Sequence, residues 1–269
     1  MRGIILAGGT GTRLDPVTRA VSKQLLPVYD KPMVYYPLSV LMQAGIRDIL
    51  VISNPHHLDA YRRLLGTGAD LGLRLEYAAQ PEPRGLAEAL LIGGEFVGDD
   101  QLALTLGDNV LVRPGLSALL REERRRLEGC TLFGCPVPDP RRFGVAELDA
   151  SGQVVSLEEK PDRPRSNLAV VGLYLYDNEA LARAAELKPS DRGELEITDL
   201  NRTFVESGTA RLVPLGEEAT WFDTGTHESL LEASVFVRGE ERQGRPVGRV
   251  DDIAREMGYL PAAPVRTGG

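Results

Sequence analysis

Residues 3–14 have the sequence GIILAGGTGTRL, in which an apolar run opens directly into glycines. The apolar segment from Gly3 to Ala7 predicts a strand that is buried on both faces, as strands of a parallel sheet are. The glycines that follow let backbone N–H groups approach phosphate oxygens with no Cβ in the way, and Arg13 would add a charge-assisted contact to the same anion. A plain turn is the alternative interpretation of the glycine cluster alone.

The segment from Ser22 to Pro27, SKQLLP, favours the phosphate interpretation. Lys23 lies ten residues after Arg13. A loop folded back over the carboxyl edge of the sheet would bring both cations to one ligand, because open α/β sheets bind ligands at that edge. The segment is not a P-loop, since no Gly-Lys-Ser/Thr closes it, and Leu14 replaces the third glycine of a dinucleotide fingerprint. A surface lysine is the alternative for Lys23.

The rest of the chain alternates short apolar runs with amphipathic segments, which predicts an α/β fold: a Rossmann-like, three-layer α/β/α arrangement with a mainly parallel sheet. Strands are predicted at 3–7, 48–53, 74–79 and 102–106, and helices at 32–44, 58–65, 86–94 and 114–127. After Thr131 the pattern predicts a β-rich insertion, with strands at 144–148, 153–157, 170–176 and 211–215 and helices at 178–186, 198–207 and 226–238.

No linker or repeat divides the chain, so residues 1–260 are predicted to form one domain. Its parts are expected at about 1–130, 131–225 and 226–260. The segment 261–269 lacks periodicity, and we expect it to be a disordered tail.

The composition is that of an ordinary globular protein and argues against two classes of partner. The 269 residues include 26% charged residues and carry a formal net charge of −8. An acidic chain does not suit nucleic acid or an anionic membrane as its main partner, and no apolar segment approaches the length of a membrane span. We therefore expect a soluble, cytoplasmic protein. Cys130 and Cys135 have neither a disulfide framework nor a second half of a zinc site, so we interpret them as buried small residues.

Two aspartates each close an apolar run. Asp108 follows the run at 102–106, and Asp223 follows Trp221 and Phe222. Side chains at strand ends point into the mouth of a site at the sheet edge, and two carboxylates together with substrate phosphates suit the octahedral, all-oxygen coordination of Mg²⁺. The sequence therefore predicts Asp108 and Asp223 as Mg²⁺ ligands. Each aspartate alone is also consistent with a turn or a helix cap.

Two further segments place polar groups in loops. The segment EEKP at 158–161 puts acid and base at a strand end, where the carboxylate could take sugar hydroxyls and the ammonium a phosphate. Gln80 precedes a loop rich in Pro and Gly, and it offers a donor and an acceptor to the edge of a base. A surface turn is the default interpretation of each segment in isolation.

Together and in this order, the motifs resemble the glucose-1-phosphate thymidylyltransferase family of sugar nucleotidyltransferases, from Arg2 to about Leu260. They are GGTGTRL at 8–14, SKQLLPVYDKPM at 22–33, LGDN at 106–109, RFGV at 142–145, EEKP at 158–161, GELEITD at 193–199 and WFDTGTH at 221–227. VYYPL at 34–38 and GELEITD resemble the thymidylyltransferase branch more than the uridylyl or adenylyl branches. The resemblance implies the nucleotide-diphospho-sugar transferase fold, with a nucleotide-binding part at about 1–130 and a sugar-phosphate-binding part at about 131–225.

The resemblance also implies the chemistry: a sugar-1-phosphate oxygen attacks the α-phosphorus of dTTP, pyrophosphate leaves, and catalytic Arg13 and Lys23 stabilise the charge together with Mg²⁺. With glucose 1-phosphate the product is dTDP-glucose. The implied nucleotide-binding residues are Leu6, Gly8, Gly9, Gly11, Thr12, Arg13, Gln24, Gln80, Gly85 and Asp108. The implied sugar-phosphate-binding residues are Asn109, Gly144, Glu159, Lys160, Val170, Tyr174 and Trp221. A homo-oligomer, either tetramer or dimer, is the expected assembly.

Three alternative functions stay open at this point. The first is a uridylyltransferase or an enzyme of dual specificity, because dTTP and UTP differ by a methyl and a hydroxyl group. A glycosyltransferase would not need the Lys23 motif, and it would hydrolyse its donor instead of releasing pyrophosphate. A non-catalytic regulatory relative would be expected to lack Arg13, Lys23 or an aspartate, and all of these are present.

The chain departs from the family at two places. Members commonly have an aromatic residue, Gly and His after the position of Asn109, where this chain has Val110-Leu111-Val112. Longer members also continue with further helices past the position of Tyr259. In those members both regions help to build a second, regulatory nucleotide site, and the departures put that site in doubt here.

Overall fold

The computed structural model describes residues 1–9 and 11–261, so the tail expected at 261–269 lies, apart from Pro261, outside the described residues. The strands are β1 (Arg2–Ala7), β2 (Pro27–Val28), β3 (Lys31–Pro32), β4 (Asp48–Ser53), β5 (Arg74–Ala79), β6 (Leu102–Leu106), β7 (Val110–Val112), β8 (Cys130–Pro136), β9 (Gly144–Leu148), β10 (Val154–Glu159), β11 (Leu168–Tyr176), β12 (Ala210–Pro214) and β13 (Thr220–Phe222). The α-helices are α1 (Tyr35–Gln43), α2 (Leu58–Leu65), α3 (Glu88–Ile92), α4 (Gly94–Val97), α5 (Leu116–Arg125), α6 (Glu179–Glu186), α7 (Ile197–Glu206), α8 (His227–Arg242) and α9 (Val250–Glu256).

The first half of the chain forms a parallel sheet in the order β5, β4, β1, β6. The strand β1 is central, because Ile5 pairs with Val51 of β4 on one side and with Thr105 of β6 on the other. This confirms the buried parallel strand that the apolar run predicts. Since the strands are parallel, the loops after β1, β5 and β6 leave the sheet at the same edge.

The β-rich insertion continues this sheet and is not a separate unit. Strand β11 pairs antiparallel with β6, and Leu173 lies opposite Thr105. It also pairs antiparallel with β8 and β9, β9 pairs antiparallel with β10, and β12 lies parallel to β8. The resulting nine-stranded sheet is mixed. Its parallel part carries the segment after β1 that contains Gly8, Gly9 and Gly11, which we call the glycine loop, and its antiparallel part carries the insertion.

Helices cover both faces of the sheet, which confirms the three-layer arrangement. Along β1, Ile4 and Leu6 pack into the core beneath α3, α6 and α7, whereas Ile5 and Ala7 pack into the core beneath α1, α2, α5 and α9. The alternation follows from the two-residue period of a strand. Both faces are buried from Gly3 onward, so the positions from Ile4 to Ala7 must all be apolar. The cysteines Cys130 and Cys135 are buried as interpreted.

The main differences from the sequence-based expectation concern two helices and one pair of strands. The helix predicted at 32–44 begins at Tyr35, because β3 pairs with β2 just before it. The helix predicted at 86–94 is divided into α3 and α4 at Gly93, where the backbone packs so closely on β1 that a Cβ would lie 2.6 Å from Ile4 Cδ1. The strands β7 and β13 pair with each other, with Trp221 opposite Leu111. A local pattern cannot show a pairing between such distant segments.

Within the described ranges, no helix has both the length and the apolar character that a bilayer crossing demands.

Candidate active site

The parallel strands end beside two adjoining cavities. The glycine-loop cavity, of about 190 Å³, is lined by Leu6, Gly8, Gly9, Gln24, Gln80, Pro83, Gly85, Leu86, Leu106, Asp108 and Glu194. The Trp221 cavity, of about 290 Å³, is lined by Arg13, Leu86, Leu106, Asp108, Asn109, Arg142, Phe143, Gly144, Leu157, Glu159, Lys160, Val170, Gly172, Tyr174, Ile197, Thr198, Asn201, Trp221 and Asp223. Leu86, Leu106 and Asp108 line both, so the cavities meet at the end of β6.

Lys23 contacts this junction through Asp108, although it is not among the residues that line either cavity. Its Nζ atom is 2.5 Å from Asp108 Oδ2 and 3.4 Å from the carbonyl oxygen of Asp223. The side chain is only 9% exposed, and a lysine is seldom buried to this extent unless it is paired. The segment that follows the glycine loop thus folds back over the sheet edge and brings a cation to the carboxylate of Asp108 and to the backbone of Asp223.

Gln24 fixes the backbone of the glycine loop from its buried side. Its Nε2 atom donates to the carbonyl oxygen of Gly8 at 3.0 Å, and its Oε1 atom accepts from the hydroxyl of Ser22 at 2.8 Å. The hydroxyl of Tyr61 lies 2.9 Å from Ser22 Oγ. Burial raises the pKa of Tyr61 to about 12, so this hydroxyl keeps its proton at neutral pH. The loop is therefore held by a network of neutral groups.

Arg13 is exposed at the rim of the Trp221 cavity. Its guanidinium packs on the backbone of Gly225, where a Cβ would lie 3.0 Å from Nη2. Arg13 therefore lies on the Asp223 side of the junction. Gly11 caps the short 3-10 helix that begins at Thr12, and neither residue is among those that line the two cavities.

Asn109 links Asp108 to the wall of the Trp221 cavity. Its Nδ2 atom donates to Asp108 Oδ1 at 2.9 Å, while its Oδ1 atom accepts from Trp221 Nε1 at 2.6 Å and from the backbone N–H of Gly172 at 3.1 Å. A Cβ at Gly172 would lie 2.7 Å from this Oδ1, so the strand leaves room for the amide only by having glycine there. Asn109 therefore orients an aspartate and an aromatic wall at once.

We expect Asn109→Ala to destabilise the protein, because it leaves the buried N–H of Gly172 and the half-buried indole N–H of Trp221 without their acceptor. Each unpaired buried donor costs about 1–3 kcal/mol, so the free energy of unfolding in urea should fall by about 2–4 kcal/mol. The exposed Asn167→Ala control should change it by less than about 0.5 kcal/mol. Equal effects of the two variants would contradict the structural role of Asn109.

The insertion supplies a carboxylate and a cation at the end of β10. Glu159 Oε2 accepts from the hydroxyl of Thr198 at 2.6 Å, and Glu159 Oε1 lies 3.3 Å from Lys160 Nζ. Lys160 has a φ of 45°, a left-handed conformation that is uncommon for a residue with a side chain and is concentrated at functional sites. A Cβ at Gly144 would lie 3.0 Å from Thr198 Oγ1. Three of the expected sugar-phosphate contacts, Gly144, Glu159 and Lys160, therefore form one wall.

Strand β11 forms the floor of the same cavity. Val170, Gly172 and Tyr174 alternate along the strand, so they face the same side of the sheet. Burial raises the pKa of the Tyr174 hydroxyl, and the nearby carboxylate of Glu159 raises it further. The hydroxyl therefore keeps its proton.

Arg142 and Thr198 contact carboxylates of this cavity and are among the lining residues that were not assigned from the sequence. Arg142 Nη2 lies 2.8 Å from Asp223 Oδ2, so the second aspartate also has a cation beside it. Thr198 holds the carboxylate of Glu159. In the sequence, Arg142 belongs to the RFGV segment and Thr198 to the GELEITD segment. Membership of such a segment indicates that a residue lies near the site, but it does not identify the residue that it contacts.

The loop after β5 and the loop before α7 are joined by a pair of backbone hydrogen bonds that we call the loop clamp. The N–H of Leu195 donates to the carbonyl oxygen of Arg84 at 2.8 Å, and the N–H of Ala87 donates to the carbonyl oxygen of Leu195 at 3.1 Å. Between them Gly85 has a φ of 110°, and a Cβ there would lie 2.3 Å from Leu195 O. The clamp brings Glu194 of the second loop to the glycine-loop cavity.

Asp108 and Asp223 are the carboxylates that could hold a metal ion at the junction. In the part of the chain that the structure describes, no group of three or more His, Cys, Asp or Glu side chains could hold a metal. Two carboxylates suffice for Mg²⁺ when substrate phosphates supply further ligands. The donor set therefore fits Mg²⁺ if a phosphate-bearing ligand binds beside it.

The chain belongs to the nucleotidyl transferase family, whose model matches residues 2–240, and it is a nucleotidyltransferase. It is 56% identical over 262 residues to the glucose-1-phosphate thymidylyltransferase of Xanthomonas campestris pv. campestris (strain B100), covering 97% of this chain and 89% of the relative. It is 53% identical over 268 residues to the Neisseria gonorrhoeae enzyme of the same name, covering 99% and 93%. The resemblance drawn from the motifs is confirmed.

Solved structures agree on the fold. A Bacillus anthracis protein assigned as a glucose-1-phosphate thymidylyltransferase, in complex with a sucrose, superposes with a TM-score of 0.82 at 40% identity, covering 88% of this chain and 95% of that one. A UDP-glucose pyrophosphorylase complexed with UDP-glucose gives a TM-score of 0.76 at 23% identity, covering 89% and 98%. At that identity the second likeness concerns the fold alone.

Proposed function

We propose that this chain transfers the thymidylyl group of dTTP to α-D-glucose 1-phosphate, giving dTDP-glucose and pyrophosphate. The observation that carries the proposal is Asp108, which lines both the glycine-loop cavity and the Trp221 cavity and which accepts a hydrogen bond from Lys23. One cavity then holds the nucleotide, the other holds the sugar phosphate, and the phosphorus atom that changes partners lies between them. The thymidylyltransferase names of the relatives support dTTP and glucose 1-phosphate as the pair.

The reaction needs no protein nucleophile. An ionised oxygen of the sugar phosphate forms a bond to the α-phosphorus of dTTP, the bond from that phosphorus to the bridging oxygen breaks, and pyrophosphate carries away the electron pair. Lys23 stabilises the charge that builds on the transferring group from the side of the glycine loop. Arg13 and Arg142 flank the same point from the side of Asp223, where a second anion enters.

The two substrates are held by different walls. Gln80 and Gly85 line the glycine-loop cavity, where the base and deoxyribose bind. In the Trp221 cavity, Glu159 accepts from sugar hydroxyls and Lys160 contacts the phosphate. We propose that Asp108 and Asp223 hold Mg²⁺, which would neutralise phosphate charge when bound.

The test is pyrophosphate release across a grid of nucleoside triphosphates and sugar 1-phosphates in the presence of Mg²⁺. We expect the highest kcat/KM with dTTP and glucose 1-phosphate. UTP should give measurable activity, because a pocket gains only about 1–3 kcal/mol from a methyl-sized difference. A grid with no pyrophosphate release would refute the proposal, and preference for UTP would establish a uridylyltransferase instead.

The homo-oligomer and the cytoplasmic location expected from the sequence stay predictions. The same holds for the absence of nucleic-acid and membrane partners, which rests on the net charge of −8.

A further inference from the structure

The amide of Gln80 is held in one of its two orientations. Gln80 is buried at the end of β5, and its Nε2 atom donates to Glu88 Oε2 at 2.8 Å and to the carbonyl oxygen of Gly85 at 3.3 Å. An ionised carboxylate and a carbonyl group both accept hydrogen bonds and donate none. The nitrogen end of the amide therefore has to face Glu88, and the oxygen end has to face the other way.

Glu88 is fixed in turn by Arg84. Glu88 is only 4% exposed, and its Oε1 atom accepts from Arg84 Nε at 2.8 Å and pairs with Arg84 Nη2 at 2.6 Å. The two carboxylate oxygens thus have separate partners, Arg84 on one and Gln80 on the other. A buried carboxylate requires such pairing. We call the series Arg84, Glu88, Gln80 the amide relay.

The oxygen end of Gln80 faces the glycine-loop cavity. A Cβ at Gly8 would lie 2.5 Å from Gln80 Oε1, and both residues line this cavity. Among the described residues, no hydrogen-bond donor reaches this oxygen. The relay therefore presents a single acceptor atom to whatever binds beside Gly8.

We propose that Arg84 and Glu88 are positioning residues that select the base of the nucleotide through Gln80. Thymine and uracil carry a hydrogen on N3 and match an acceptor, whereas N3 of cytosine is itself an acceptor. This inference rests on one part of the proposed function, namely that a nucleotide binds in the glycine-loop cavity. It adds a specificity role for two residues that hold Gln80.

The size of the expected preference for uracil follows from the hydrogen bond that a reversed Gln80 amide would lose. To read cytosine, Gln80 would turn its oxygen towards the Glu88 carboxylate and lose a hydrogen bond to a charged group. Such a bond contributes on the order of a ten- to hundredfold change in an equilibrium constant. The relay should therefore favour uracil over cytosine by about that factor.

The variant Glu88→Gln removes the charge and keeps the shape. Arg84 still requires an acceptor, so it should take the carbonyl oxygen of the new amide. That amide would then turn its NH₂ group towards Gln80, whose own amide would reverse and present NH₂ to the base. The added variant Arg84→Glu on this background reverses the relay again, because Glu at position 84 accepts from the NH₂ group of the new amide.

The test is equilibrium binding of dUTP and dCTP, which differ only in the base, by titration calorimetry on the full chain. The native protein should bind dUTP about ten- to a hundredfold more tightly. We expect Glu88→Gln to reduce this ratio at least about tenfold, and Arg84→Glu with Glu88→Gln to restore most of it. The control Glu82→Gln, an exposed residue of the same loop, should leave the ratio unchanged within about twofold.

A ratio in Glu88→Gln within twofold of the native value would overturn the proposal. If neither the single nor the double variant bound dUTP or dCTP, the proposal would also be overturned, because this result would show that Glu88 only maintains the fold. Binding needs no turnover, so an absence of pyrophosphate release would refute the proposed function and leave this test intact.

Discussion

Replacement of Lys23 by methionine is expected to lower kcat/KM for dTTP and glucose 1-phosphate by about a hundred- to a thousandfold, the usual loss when one preorganised donor to a transition state is removed. The ammonium is 2.5 Å from Asp108 and only 9% exposed, so its position is set before any substrate binds. Methionine has nearly the same length and packs in the same place, so the fold should persist. Steady-state kinetics with a pyrophosphate assay measures the loss.

The matched control is one of the other three lysines of the chain, which has four in all. Lys188 is exposed after α6, away from both cavities, and Lys188→Met should leave kcat/KM unchanged within about twofold. If Lys23→Met retained near-native kcat/KM, Lys23 would have no catalytic role.

Replacement of Asp108 by asparagine should cost on the order of a thousandfold in kcat/KM, and Asp223→Asn should raise the Mg²⁺ concentration needed for half-maximal rate about tenfold. Asp108 has a double task in this proposal, because it would bind the metal and it also accepts from Lys23. The change is measured by titrating Mg²⁺ at saturating substrates.

Asp99→Asn, at an exposed position, is the control for a lost surface charge and should show the native Mg²⁺ dependence. The combination of Lys23→Met with Asp108→Asn should be less harmful than the product of the single effects, because each single variant already breaks the same pair. An unchanged Mg²⁺ dependence in both aspartate variants would remove them from the metal site.

The parallel half of the fold could be predicted from sequence because its signals are local. The strands at 48–53, 74–79 and 102–106 and the helix at 58–65 have the bounds expected of them. In β4 and β6 a buried, mainly apolar run ends abruptly at a turn or a polar residue, whereas β5 at the sheet edge alternates charged and apolar residues along Arg74–Tyr77. Burial on both faces requires apolar residues at successive positions. The sequence signal for such a strand is therefore contained in a few consecutive residues.

The partnerships inside the site could not be predicted in the same way. The pairing of Asp223 with Arg142 spans 81 positions, and that of Asp108 with Lys23 spans 85. Composition and spacing placed the two aspartates at strand ends, but which cation faces each carboxylate depends on how the insertion closes on the sheet. The role of Glu88 could not be predicted from the sequence either. An acidic residue at the start of a helix usually indicates a favourable contact with the helix dipole, not a buried carboxylate that orients another side chain.

The loop clamp has a consequence for anyone who recombines this enzyme with its relatives. The segment that we propose reads the base and the segment around Leu195 share two backbone hydrogen bonds, and the contact at Gly85 tolerates no side chain. A graft of residues 80–88 from a relative of different nucleotide preference would meet a loop around position 195 to which it is not matched. The two segments should therefore be exchanged as one cassette, although more than a hundred positions separate them in the gene product.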